Sequence, residues 1–484
     1  MIAPATPHLW TANEAAAATA GRPFGDWRAD GVSIDSRTLK PGDLFVAIKG
    51  PKHDGHEFVD EALKAGAAAV MIEPKRKKLK ANVPALQVGD TTFALEDLGR
   101  AARARTTARI IAVTGSVGKT STKESLRFVL ETQGLTVANF GNLNNQLGVP
   151  LSLARMPADT AYGVFEIGMN HAGEIEPLSK MVVPRVAVIT TVELVHSAHF
   201  DSIEQIADAK AEIFAGVDPD GAAVLNRDNP QFARLAAAAK DAGIGTVIGF
   251  GAETDAQVRL VAAKPESSGA DIEADVMGQR ISYRLNIPGR HWVMNSLGVL
   301  AAVQAIGADV KAAAEALAGM RAPKGRGHLH EVDLKNGPFK IIDESYNASP
   351  ASMIAAIEVL GGMRPERGGR RIAVLGDMLE LGADAALQHA QLAESLVHNK
   401  IDLVFAAGSH MKSLWVVLPS AMQGGMAEDS VKLLPKVTAA AGPGDIFVVK
   451  GSAGSNMRPI VEALLAMGVA HEAGSDECDW AVNG

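Results

Sequence analysis

Residues 109–133 read RIIAVTGSVGKTSTKESLRFVLETQ. An apolar run, Ile110 to Val113, leads into a turn with glycines at Gly115 and Gly118. Lys119, Thr120 and Ser121 open a helical pattern in which Leu126, Val129 and Leu130 recur at i, i+3 and i+4, and Gly134 is placed to stop it. Strand, glycine turn and helix in this order predict a phosphate loop spanning Thr114, Gly115, Ser116, Val117, Gly118, Lys119, Thr120 and Ser121. Free N–H groups and the helix dipole favour an anion there. Lys119 adds a mobile cation for the outer phosphates, and the Thr120 hydroxyl can join a Mg²⁺ shell. The loop is the short form T-G-x-x-G-K-[ST], with Val113 where a longer loop begins on Gly.

The totals set bounds around that core. A chain of 484 residues suggests about three domains at roughly 150 residues each. Lys and Arg number 47 against 55 Asp and Glu, a net charge of −8, which disfavours a general nucleic-acid binder. One cysteine, Cys478, excludes an internal disulfide and a cysteine metal cluster, and fits a reducing compartment. The start, MIAPATPHLWTANEAAAATAG, has no basic segment before an apolar core, so no signal peptide is expected. No apolar run reaches the roughly 18 residues of a membrane span. A cytoplasmic α/β enzyme is expected.

Residues 1–107 read as a small α/β unit. Strand patterns lie at Val32–Ile34, Leu44–Ile48 and Ala68–Ile72, with helices near 56–64 and 91–107. Two polar clusters, Asp35-Ser36-Arg37 and His53-Asp54-Gly55-His56, read on spacing alone as turn chemistry, and the basic run 75–78 as a solvated loop.

Residues 108–325 form a second unit. Past the first helix, GNLNNQLGVP (141–150) holds Asn142, Asn144 and Asn145, which suit either a polar-ligand loop or an Asn-rich turn. Glu166 interrupts an apolar strand, 162–167, near the C-terminal end where α/β sheets gather ligands. A buried carboxylate is costly unless it is paired or on a metal, so Mg²⁺ and a salt bridge are the two readings. His196 and His199 follow the next strand, Val186–Val192. Lys210, inside the helix 202–214, reads on pattern alone as a surface lysine. Residues 251–288 look like an antiparallel excursion, 290–306 a helix holding Asn295, and RAPKGRG (321–327) a linker.

Residues 326–484 repeat the α/β grammar without a phosphate loop. Strand patterns at Lys340–Ile342, Ile372–Leu375, Leu403–Phe405 and Ile446–Val449 alternate with helices, which argues a parallel sheet covered on both faces. In DESYNASP (343–350), Ser349 is an N-cap with Pro350 at the first helical position, leaving Asp343 and Tyr346 for ligand work. The tail from about Ala470 reads as frayed.

Several spaced motifs go beyond a generic phosphate-loop protein. TGSVGKTSTKE, GNLNNQLGVP, FEIGMNHAGEI, the block from His196 to AKAEIF (209–214), DESYNASPASM and GDMLELG stand in the order found in Mur ligases, and DSRTLKPGDLFVAIKG near the front extends the match. The chain resembles that family up to about Leu465. The resemblance implies three domains: 1–107 for a UDP-sugar substrate, 108–325 a central mononucleotide-binding domain for ATP with a mostly parallel sheet, and 326–484 a Rossmann-like domain. It implies a cytoplasmic monomer that uses ATP and Mg²⁺ to join D-alanyl-D-alanine to UDP-MurNAc-tripeptide through an acyl phosphate. Carried over residue by residue, Lys119, Glu166, His196 and Lys210 become catalytic, with Thr120, Glu166, His196 and a carbamylated Lys210 around metal. Asn295, Arg326, Asp343 and Tyr346 meet the nucleotide with the phosphate loop. Ser36, Arg37, Asn142, Asn144, Asn145 and Asn347 meet the other substrates. Val117 and Ala453 depart from the family's usual Asn and Arg. A related ligase such as folylpolyglutamate synthase, which should lack the front unit, and a phosphate-loop NTPase are the alternatives.

Overall fold

A computed structural model describes residues 8–80, 82–194, 200–266 and 268–472. It is an α/β protein of three domains, each built on its own main sheet. In the first, strands run in the spatial order Arg22–Phe24, Ala85–Gln87, Ala69–Ile72, Asp43–Val46 and Gly31–Ser33, parallel except for the first pair. Asp54 caps a single 3₁₀ turn, Gly55–Phe58, that runs into the helix Val59–Lys64. Its carboxylate also takes the Nδ1 hydrogen of buried His56, whose Nε2 accepts from the Glu73 N–H. This cluster is turn chemistry, as its spacing suggested. Of the basic run, Arg76 pairs with Glu73 and Lys77 with Asp60, while Lys75 and Lys78 are exposed.

The central sheet has nine strands, in the order 279–285, 269–276, 258–266, 246–251, 222–226, 186–189, 109–114, 162–166 and 136–138. From 258–266 onward neighbours are parallel, and the three strands from 258 to 285 form the antiparallel excursion. Parallel strands buried on both faces must be apolar on both. Accordingly Ile110, Ile111, Ala112 and Val113 are all buried, and two separate cores flank the sheet. Leu126, Val129 and Leu130 of the helix Lys119–Glu131 pack into one of them. That helix ends where the Gly134 N–H reaches the Leu130 carbonyl.

Strand Arg109–Thr114 lies between 186–189 and 162–166, strands that come later in the chain on both sides. Its C-terminal end is therefore a topological switch point, where adjacent connections part and leave a crevice. The phosphate loop occupies that end.

The third sheet has seven strands, in the order 423–427, 403–407, 371–376, 446–450, 337–344, 328–334 and 469–472. Ser349 caps the helix Pro350–Gly362 with Pro at its start, as expected. Two features differ from the sequence reading. His328–Leu334 pairs antiparallel with Gly337–Glu344, so a hairpin follows directly on the linker. Val469–Glu472 is a further strand, antiparallel to His330–Asp333. The first residues of the tail, through Glu472, are therefore paired, because the free edge of 328–334 offers them a ladder; the rest of the tail lies outside the described residues. Among the described residues no helix is long and apolar enough to cross a membrane.

Candidate active site

The phosphate loop turns on two glycines with positive φ, +144° at Gly115 and +86° at Gly118. A Cβ on Gly115 would collide with Thr190 Oγ1, and one on Gly118 would sit 3.1 Å from the Asn295 amide. Neighbouring strands lock the loop. The Thr190 hydroxyl donates to the Val117 carbonyl (2.6 Å), and Ser116 exchanges hydrogen bonds with the Glu193 main chain (3.0 Å each). The backbone contacts at position 117 are made with Val in place.

Lys119 donates to the carbonyls of Gly115 (2.7 Å) and Ser116 (3.2 Å). Burial holds its ammonium below the usual lysine range; the Glu166 carboxylate opposes that shift and the Arg326 guanidinium reinforces it. Glu166 ends its strand and is only 2% exposed. Its Oε2 accepts from the Thr120 hydroxyl and its Oε1 from the Asn144 amide, both at 2.8 Å. No cationic side chain pairs with it at salt-bridge distance among the described residues. A buried carboxylate beside a hydroxyl offers hard oxygen atoms, the donor chemistry that suits Mg²⁺.

Lys210 is also buried, at 2% exposure, and not on the surface as its helical pattern suggested. Burial, then the neighbouring charge of Lys119, pushes its amine well below the usual lysine value. Glu212, two residues on, accepts the N–H groups of Gly173, Ile175 and Glu176, docking this helix against the loop that follows Glu166. His196 and His199 lie outside the described residues.

A cavity of about 1620 Å³ opens between the central and third domains. It brings together Ser116 to Ser121, Asn142, Asn144, Glu166, Asn295, Arg326, Tyr346 and Asn347. Arg326 stacks on Tyr346, its guanidinium carbon 4.2 Å from the ring centre. Thr114 and Gly115 lie beneath the lining; the buried Thr114 hydroxyl has no partner among the described residues.

Other expected residues lie outside this cavity. Asp343 does not line the cavity: its carboxylate accepts from the Gly325 N–H (3.1 Å) and from Ser345 N–H and hydroxyl, tying the linker to the third sheet. Asn145 Oδ1 is taken by the N–H groups of Leu147 and Gly148, so it starts the following helix. Ser36 and Arg37 sit on the first domain away from the cavity, with Arg37 paired to Asp35 at 2.6 Å. Conversely, the cavity includes Thr190, Thr191, Glu193, Glu344 and Lys450, which the sequence reading passed over. Lys450, 2% exposed, donates to Glu344 Oε2 (3.1 Å) and the Asn347 carbonyl (2.8 Å). A lysine closing an apolar strand before Gly-Ser was the available signal for it.

The fold and this cavity define a phosphate-loop enzyme that works on a nucleotide in a cleft between two domains. Residues 28–103 match the Mur ligase family catalytic domain, 113–303 the Mur ligase middle domain, and 325–453 the Mur ligase glutamate ligase domain. The chain is 33% identical over 441 residues to the UDP-N-acetylmuramoyl-tripeptide–D-alanyl-D-alanine ligase of Escherichia coli (strain K12), covering 91% of this chain and 94% of that one. Its identity to the Bacillus subtilis (strain 168) ligase of the same name is 34% over 443 residues, covering 90% and 93%. A crystal structure of MurF from Acinetobacter baumannii superposes with a TM-score of 0.82 at 29% identity, covering 94% of this chain and 99% of that one. MurF of Thermotoga maritima, solved in complex with ADP, superposes at 0.75 with 26% identity, covering 90% and 97%. The chain belongs to the Mur ligase family and is an ATP-dependent ligase.

Lys119 is the residue whose removal separates chemistry from folding. Its ammonium is crowded by Arg326 and touches only loop carbonyls. Lys119→Ala should lower turnover on the order of a hundredfold or more while the thermal unfolding midpoint stays near that of the wild type. Steady-state phosphate release and a melting curve check both halves; full activity in the variant would remove the phosphate-loop assignment.

Proposed function

We propose that the chain joins D-alanyl-D-alanine to UDP-MurNAc-tripeptide, as a cytoplasmic monomer. The observation that carries this is that the phosphate-loop Lys119, the Glu166–Thr120 pair and the linker's Arg326 line one cavity between two domains, with the buried Lys210 amine close enough to feel the Lys119 charge. Lys119 and Arg326 face the cavity at the phosphate loop, and triphosphate and substrate carboxylate supply the matching negative charge. Full-length similarity to relatives named for this reaction supports the choice of substrates.

In this reading the loop N–H groups from Gly115 to Ser121 cradle the β-phosphate at the helix start. Lys119 leaves its carbonyl perches for the γ-phosphate, and Arg326 approaches from the linker. Asn295, packed against Gly118, and Tyr346 meet the nucleoside. Thr120 and Glu166 would hold Mg²⁺, and His196 and a carbamylated Lys210 are the family-matched candidates for a second ion. Bound there, Mg²⁺ supplies positive charge that lets a γ-phosphate approach a carboxylate. The terminal carboxylate of the tripeptide attacks the γ-phosphorus and ADP leaves. The neutral amine of D-alanyl-D-alanine then attacks the acyl carbon. The tetrahedral intermediate expels phosphate, the amine loses its proton, and an amide remains. Lys119 and Arg326 offset the charge that builds on the transferring phosphoryl oxygens. Asn142 and Asn144 face the peptide-bearing substrate, and Ser36 and Arg37 its UDP-sugar end. Asn347 offers its amide to the other substrates from the third-domain wall of the cavity.

Two measurements test the reading. Phosphate release in the presence of ATP and UDP-MurNAc-tripeptide should require D-alanyl-D-alanine; release indifferent to the dipeptide would point to an NTPase instead. Lys210→Ala should lose most activity and regain part of it in millimolar formate or acetate, small carboxylates that fit the space of a carbamate. Absence of any rescue would count against carbamylation, for which the low basicity of the Lys210 amine is the chemical basis.

A further inference from the structure

We propose that Lys123 and Asn139 are positioning residues that set Glu166 against Thr120. The inference rests on the reading of Glu166 and Thr120 as the metal-facing pair. Lys123 lies one turn beyond Thr120 on the same helix face and is fully buried, at 0% exposure. Its ammonium donates to the carbonyls of Asn139 (2.7 Å) and Gly141 (3.4 Å), and lies 2.8 Å from Glu124 Oε1. Its three N–H groups are therefore all met.

The parallel ladder between strands 136–138 and 162–166 ends at the pair Ala138 and Val164. Past that point the Asn139 side chain, 1% exposed, takes over from the missing strand. Its Oδ1 accepts the Glu166 N–H (2.8 Å), and its Nδ2 donates to the carbonyls of Glu166 (2.9 Å) and Leu143 (2.8 Å). One amide thus acts as an extra peptide unit of the sheet and fixes the main chain of Glu166 on both sides. Its hold on Leu143 also places the next residue, Asn144, whose amide donates to Glu166 Oε1. The circuit closes where Thr120 donates to Glu166 Oε2. It runs from the helix through Lys123 to Asn139, from Asn139 to Glu166, and from Glu166 back to the same helix at Thr120. A buried ammonium is a poor means of stabilising a fold, because well-packed apolar side chains usually do as well. What it adds here is a fixed direction, holding the phosphate-loop helix and the Glu166 strand in one register.

The test uses the full-length protein titrated calorimetrically with the β,γ-methylene analogue of ATP, with and without Mg²⁺. In the wild type, Mg²⁺ should tighten binding. Lys123→Met keeps the volume and removes the donors. It should leave metal-free affinity within about twofold and raise the Mg²⁺ concentration needed for half-maximal tightening at least about tenfold, the usual scale for losing a support of a metal ligand. Asn139→Leu should act in the same direction. The double variant should exceed the larger single effect by less than about twofold, because both residues act on one link. If Lys123→Met fails to fold, Asn144→Ala, in the half-buried Asn loop, gives the same readout at the last step of the circuit. Folded variants with an unchanged Mg²⁺ requirement and only a lower unfolding temperature would overturn the proposal, leaving these residues a structural role. A wild type indifferent to Mg²⁺ would overturn the metal-facing reading of Glu166 and the positioning circuit with it. Normal Mg²⁺ linkage with no dipeptide ligation would instead refute the proposed substrates alone.

Discussion

Buried like charges held close to one another are the constraint on which this site depends. The Arg326 guanidinium adds to the burial that holds the Lys119 ammonium down, the Glu166 carboxylate opposes it, and Lys210 is buried within reach of the Lys119 charge. Such an arrangement is unfavourable by itself and must be held by the surrounding fold. The central sheet does so by placing the phosphate loop at its switch point, with the Glu166 strand on one side and Thr190 on the other. Arg326 comes from elsewhere, on the linker that Asp343 ties to the third sheet. The site is therefore assembled from two domains.

Much of this was legible in the chain because it is local. A continuous apolar run, two glycines, a Lys-Thr pair and helical spacing lie within residues 109–133 and define strand, loop and helix without reference to anything distant. The same holds for Ser349 and Pro350, whose capping role depends on neighbours three residues away. Glu166 was visible as a charge at the end of an apolar strand, although metal and salt bridge could not be told apart on sequence alone.

What escaped depends on partners far along the chain. Helical spacing gives Lys210 a face but cannot say that the face meets Lys119, so it reads as a surface lysine until the family pattern is considered. An asparagine in a loop can bind a ligand or hold backbone N–H groups; Asn144 reaches Glu166, while Asn145 accepts the N–H groups of Leu147 and Gly148 where the next helix begins. Asn139 and Lys123 carried no local signal, since the Glu166 peptide that Asn139 holds lies 27 residues away. The strand at 469–472 was missed because its only warrant is the open edge of 328–334.

The central claim is that this charge pattern aims a γ-phosphate at a peptide carboxylate. Isotope transfer tests it most directly. UDP-MurNAc-tripeptide labelled with ¹⁸O in its terminal carboxylate is turned over with ATP and D-alanyl-D-alanine, and the released phosphate is analysed by mass spectrometry. The account predicts one labelled oxygen in each phosphate formed, passed through the acyl phosphate. Phosphate that carries no label from the tripeptide would contradict it.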